Sequence, residues 1–221
     1  MTVSPVDDRP DVSDMLVVHD AFRREYGMLP RLVRGVAPGD TERAAVLEAH
    51  YALLARFLHI HHHGEDVVLY PVLTERLADH PGLVDGMQAE HRLLSELLDS
   101  ADAAVPRWAV DPTAVATVWL AALLTDVDAA LEIHLSEEER EVLPLCETLL
   151  TRAEWDAVGE HSRAEIPQEH AFTILGMLLE DAPQVAGARM LAAMPAPVSS
   201  MYEEHGAAAY AAYTAEVRAT A

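Results

Sequence analysis

Apolar positions recur along most of this chain at alternating intervals of four and three residues, a period that predicts helices nearly throughout. The clearest stripe runs Leu47, Tyr51, Leu54, Leu58, His61, Glu65, Val68, Val72. A second runs Leu120, Leu124, Val127, Leu131, His134, Glu138. Stripes of this kind face the interior of a helical bundle. In both, a His and a Glu one turn apart interrupt an otherwise apolar face. One step further on, Glu141 stands where the earlier stripe has Val68, and the heptad pattern gives no reason for it.

Turn and cap residues divide the pattern. A first helix is expected from about Val12 to Val36, kinked at Pro30. "VAPGD" breaks the chain, and Asp40 can cap a long second helix that Pro71 should bend. "DHPGL" marks the next turn, before a third helix from about Val84 to Val105. Asp111 followed by Pro112 reads as a cap and a first helical position, opening the fourth helix. Thr151 to Glu154 forms a capping box at the start of a shorter helix. Beyond it, three or more short amphipathic helices are expected, such as "EHAFTILGMLLEDAP", punctuated by "MPAPVSS".

Two stretches repeat. "HIHHHGEDVVLYP" contains His61, Glu65 and Pro71, and "HLSEEEREVLP" contains His134, Glu138 and Pro144, each 73 residues later. The helices before them carry lone histidines, His19 in "VVHDAFRRE" and His91 in "QAEHRLLSE". Residues 11–150 therefore read as two copies of a helical hairpin. The expected fold is all-α, an up-down-up-down four-helix bundle with a C-terminal helical extension over 151–221. That extension could cap the bundle, mediate a homodimer or carry selectivity; the sequence does not choose.

If all four stripes face inward, His19, His61, Glu65, His91, His134 and Glu138 converge at one level. Burying imidazole and carboxylate on an apolar seam is costly unless something satisfies them. Paired His–Glu hydrogen bonds are one answer. A metal pair is the more complete one, each Glu bridging two ions and each ion taking two imidazoles. The duplication favours the metal pair, and the donor set suits iron, then manganese, better than a closed structural zinc. The other histidines are read as bystanders. His59 and His63 flank His61 as solvated residues, and His62, one residue off the seam, is a weak rival to it. His50 lies about 16 Å away along the helix axis, near the bundle end. His80, His161, His170 and His205 are assigned to loops or surface. Tyr26 and Tyr51 read as core packing.

Other chemistries fail on spacing. No histidine has Glu three residues before it, as a ferritin-like bundle requires, and there is no HExxH, Cys pair or Gly-rich phosphate loop. With 37 acids against 15 bases the net charge is -22, which argues against nucleic acid and anionic membrane as partners. Cys146 is the single cysteine, so no intrachain disulfide forms. No apolar run approaches a membrane span and the N-terminus lacks a secretory pattern. A soluble cytoplasmic protein is expected.

With His19, His61-HHG-Glu65, His91 and His134-LSE-Glu138, the chain resembles the haemerythrin-like, or HHE cation-binding, family over about residues 11–150. The resemblance implies a non-haem di-iron centre bridged by two carboxylates and an oxo or hydroxo ligand. Oxygen-carrying members have a further histidine one turn after the third-helix His, where this chain has Ser95, and end in HxxxxD instead of HxxxE. The departure implies two similarly ligated irons with exchangeable positions. It points to an oxidoreductase acting on peroxide or dioxygen; the alternative is a module that binds or senses oxygen or nitric oxide. A purely structural metal site ranks third.

Overall fold

Gly39 takes φ +82°, and Asp40 then accepts the Arg43 N–H at 2.9 Å, so "VAPGD" does break the chain and cap a helix. The computed structural model describes residues 8–77 and 81–219, and no strand occurs among them. The long helices are α1 (Ser13–Arg34), α2 (Thr41–Gly64), α4 (Pro81–Val110) and α5 (Ala114–Glu137), with α3 (Tyr70–Arg76) following α2 and α6 (Leu143–Leu149) following α5. They pack in a ring, α1 on α5, α5 on α4, α4 on α2 and α2 on α1. The molecule is an all-helical bundle.

Several expected boundaries move. The first helix runs on through Pro30, and α4 extends past both expected ends with Pro106 inside it. In "DHPGL", Asp79 and His80 lie outside the described residues and Pro81 already begins α4. The fourth helix is capped by Thr113, not Asp111. Asp111 N–H bonds back to the Arg107 and Trp108 carbonyls and so finishes α4. Thr113, extended at φ −71° and ψ 154°, is the residue whose hydroxyl accepts the Ala116 N–H.

The largest difference from a simple heptad is a π turn in each HxxxE arm. Glu65–Leu69 joins α2 to α3, and Glu138–Val142 joins α5 to α6. In each, the N–H five residues on bonds to the Glu carbonyl, so one extra residue enters the helix. Pro71 and Pro144 fall at the start of the resumed α-helices, where a missing N–H is tolerated. The disturbance thus begins at the carboxylates, ahead of the proline to which the sequence assigned it. The extra residue shifts the inward stripe by one place. Val68 and Val72 are only half-buried, while Leu69 and Leu73 take their places in the core. Val142 does the same in the other arm and leaves Glu141 outside, paired with Arg140 at 2.9 Å. The misplaced acid of the heptad reading is therefore a surface residue.

Two apolar clusters result. The larger spans Phe22 to Val36, Ala44 to Leu58, Leu94 to Ala109 and Leu120 to Leu135. The smaller joins Val12 and Met15 to Leu69–Leu77, Val84, Met87 and Val142–Val158. In every long helix the singled-out His and Glu lie between the two.

The C-terminal residues pack on this body. The capping box at Thr151 is present and opens α7 (Arg152–Glu165), which lies on α2 and its π turn. After it come α8 (Ala171–Glu180), α9 (Gln184–Ala192), α10 (Ala196–Met201) and α11 (Ala207–Val217). Most of "MPAPVSS" is thus helical, in α10. Ile174, Met177, Tyr210 and Val217 enter the larger apolar cluster. At Gly176, a Cβ would lie 2.2 Å from Tyr210 Cγ, so α8 meets α11 where only glycine fits. Residues 114–149 are, by length and composition alone, apolar enough to cross a membrane, which the sequence reading had denied. Only 33% of that apolar window is buried, the Leu120–Leu131 stripe included, and Val115, Val118, Trp119 and Ile133 of the same helix are exposed.

Candidate metal centre

The structure brings all six singled-out residues together, buried, in the layer between the two apolar clusters. It adds a seventh, His62. One set of donors, from His19, His61, Glu65 and Glu138, lies within 4.8 Å of one another; a second set joins His62, Glu65, His91 and His134 under the same limit. Glu65 belongs to both. His61 Nε2 is 3.1 Å from Glu65 Oε1, and His91 Nε2 is 3.4 Å from Glu65 Oε2. Glu138 Oε2 is 3.4 Å from His19 Nε2 and 4.0 Å from His134 Nε2.

Every outer ring nitrogen recorded in a contact here has an acidic partner. His19 Nδ1 donates to Glu139 (2.8 Å), His91 Nδ1 to Asp66 (3.1 Å) and His134 Nδ1 to Glu90 (3.0 Å). That fixes the tautomer and turns each Nε2 lone pair inward. His91 Nε2 and His134 Nε2 then face each other at 3.2 Å, an arrangement that needs a proton or a cation between them. Elsewhere in the layer His19 Nε2, His61 Nε2, His62 Nε2, both Glu65 oxygens and Glu138 Oε2 are buried with no hydrogen-bond partner. Buried acceptors are left unpaired only at a cost of about 1–3 kcal/mol each. Convergent imidazole and carboxylate donors of this kind fit a pair of metal cations, and paired His–Glu hydrogen bonds alone leave most of them unsatisfied.

The proton balance of the polypeptide alone agrees. Burial drives His61 and His62 well below the ordinary imidazole range, helped by neighbouring histidines. Burial also opposes charge on His19, but two carboxylates outweigh it, Glu138 beside Nε2 and Glu139 accepting from Nδ1, and raise the group to about 9. His91 rises to about 9 against the same burial penalty through Asp66 and Glu65. Burial and the charge of Glu138 push Glu65 up to about 7. Glu138, held down by His19 despite its own burial, falls to about 2. Without a cation, the layer keeps protons that metal ligation would expel.

His62 corrects the sequence reading. Adjacent helical residues point about 100° apart, so His61 and His62 each serve a different donor set instead of competing for one. The repeat carried the signal: 73 residues after His62 stands Leu135, which is buried, so that place faces inward in both copies. A fifth imidazole is therefore present despite Ser95. It makes the two sets unequal, two imidazoles in one and three in the other, against the even division expected. Asp66 and Glu139 were also missed, although each directly follows the Glu of its arm. Tyr70 was missed as well. Its hydroxyl donates to Glu138 Oε1 at 3.4 Å, and the second copy has Leu143 in its place.

The remaining residues fall elsewhere. His59 is exposed as expected, and Tyr51 donates to Asp102 at 2.7 Å on the far side of the core. Tyr26 is fully buried. His50 is buried against the C-terminal helix, 2.7 Å from Tyr213. An open cleft of about 480 Å³, lined in part by Gln88, Arg92 and Ser95, reaches the second donor set at His62 and His91.

Residues 11–146, well over half of the chain, match the hemerythrin HHE cation binding domain. Neither the curated proteins nor the solved structures contain a match. The duplicated HxxxE arms, the inward-facing lone pairs and that match agree, and the chain belongs to the hemerythrin HHE cation-binding family.

Proposed function

We propose that the chain is a non-haem di-iron oxidoreductase that reacts with peroxide or dioxygen. One iron is assigned to His19, His61, Glu65 and Glu138, and the other to His62, His91, His134 and Glu65. Glu138 Oε2, 4.0 Å from His134 Nε2, would be available to the second set as well. The ligands sit in an up-down-up-down four-helix bundle over about residues 11–150, with 151–221 as an extension. Bound iron would supply the electrons by moving between its two- and three-plus states.

The observation that carries this reading is the cleft beside His62 and His91. A small oxidant has a route to the side of the centre with three imidazoles. Ser95, standing where an oxygen carrier has a histidine, lines that route and leaves it open. Arg92 and Asp66 also line its wall, and Asp66 is engaged by His91 Nδ1. Beside His91, at a ring-centroid distance of 5.5 Å, Tyr70 offers a buried O–H to Glu138 Oε1. The phenol is held well above its ordinary pKa by burial and the acids around it, so it stays a proton donor. The large apolar cluster excludes bulk water from the first donor set.

Metal analysis, absorption spectra and peroxide turnover on one iron-loaded sample test the reading. Two irons per chain, an azide- and peroxide-sensitive spectrum and catalytic peroxide loss are expected. Ser95→His should narrow the cleft and slow that loss. Loaded protein that holds an oxygen adduct for hours and consumes no peroxide would overturn the enzyme reading in favour of a binding or sensing module.

A further inference from the structure

Outside the buried layer, His63 of α2 faces the C-terminal helix α7. His63 Nδ1 is 2.9 Å from Glu165 Oε1, and His161 Nε2 is 3.1 Å from the same oxygen. The two rings lie 5.4 Å apart, and all three donors fall within 4.8 Å of one another. His161 and Glu165 repeat, a third time, the four-residue spacing of the arms. His161 Nε2 is itself shielded from solvent and makes no hydrogen bond, its approach to Glu165 being off the hydrogen-bonding direction. The helices meet here because Gly64 lets them: a Cβ on Gly64 would lie 2.5 Å from Ser162 Oγ.

We propose that His63, His161 and Glu165 form a third cation site, which takes one zinc-like divalent ion through two imidazole nitrogens and one carboxylate oxygen. Donors around tetrahedral zinc stand about 3.3 Å apart for bonds of about 2.0–2.1 Å, close to the separations present here. Three protein donors leave the fourth position to water, which suits the partial exposure of all three side chains. Iron in the buried layer and zinc here answer to different surroundings: seven buried residues in one case, three half-exposed ones in the other. The ion would join α7 to α2 beside His62 and Glu65, so the C-terminal helices would be fastened to the helix that supplies His61 and His62 of the buried centre and leads into Glu65. The site does not depend on the redox reading.

The test starts from iron-loaded protein equilibrated with micromolar zinc, freed of excess by gel filtration and analysed for both metals. Wild type should retain one more zinc per chain than the His161→Ala/Glu165→Gln double variant, with equal iron in both. Chelator competition should show zinc bound at least about tenfold more weakly by the variant. His205→Ala, at an exposed histidine elsewhere, should match wild type. If the double variant does not fold, His161→Gln provides the same comparison. Equal zinc in wild type and variant would overturn the proposal, as would zinc that enters only as iron leaves.

Discussion

Replacing His62 with leucine should make the metal-stripped protein no less stable and the loaded protein less so. The matching position holds Leu135, fully buried, so a leucine already fits this inward face once. His62 Nε2 makes no hydrogen bond, and removing a buried unpaired polar atom relieves about 1–3 kcal/mol. Against that stand the stacked contact with His91 at 4.1 Å and the edge contact with His134 at 5.0 Å. Such ring pairs contribute about 0.5–1.5 kcal/mol each. The stripped variant should therefore melt within a few degrees of wild type or above it, at roughly 2–4 °C per kcal/mol for a chain of this length. Loading reverses the sign. The second donor set loses one of its four residues, and even outer partners of a ligand cost about 10–100-fold when removed. A loss of about a hundredfold in affinity is about 2.8 kcal/mol. Iron content and melting temperature, measured on stripped and reloaded samples, give both signs. The expected result is one retained iron and a smaller rise in melting temperature on loading. Two irons with the full rise would refute the assignment of His62, and a stripped variant that melts well below wild type would refute the burial argument.

Other perturbations address the surroundings of the centre. Asp66→Asn and Glu139→Gln should each weaken metal binding by about 10–100-fold, because they orient His91 and His19; Glu141→Gln, on the surface beside Arg140, should leave chelator competition unchanged. His19 and His91 are raised to about 9 in the polypeptide alone, so their contribution to folding is complete below the ordinary value of 6.5 and fades as pH rises through about 9. Melting of stripped protein across that range should show the fall, and calorimetry in two buffers should show protons released on iron uptake; uptake with no proton release would contradict it. Gly176→Ala forces a methyl against Tyr210 and should cost about 1–3 kcal/mol, read as a lower melting temperature with unchanged iron content.

The stripes as far as Leu58 and Leu131 were legible because side-chain burial there follows a plain α-helical period. So were the six paired His and Glu residues that converge in the buried layer, whose duplication survives any small error in helix bounds. Past Glu65 and Glu138 the heptad count ran on with the wrong phase, since nothing in a period of 3.5 anticipates a five-residue turn. That is why Val68 looked buried and Glu141 looked anomalous. His62 was passed over by treating one helix as one stripe, when two neighbouring donor sets draw on two adjacent residues. Glu90, Asp66 and Glu139 act across helices, and only their partners' positions in space give them a role. The packing of α8 and α11 on α1 and α2 was beyond reach of periodicity for the same reason.

The paired π turns amount to a phase slip in two of the four struts, α2 and α5, which are not neighbours in the ring. Below each slip a strut keeps one rotational setting, and above it another, offset by the angle of a single residue. The carboxylates sit on the slip itself. A twist imposed on one apolar cluster can be taken up at the discontinuity in α2 and α5, whereas α1 and α4 run unbroken from one cluster to the other. A widened turn also has one backbone bond reaching five residues instead of four, and that slack is located at Glu65 and Glu138. Carboxylates mounted on such a joint can change the angle at which they face the convergent imidazoles while α1 and α4 stay still.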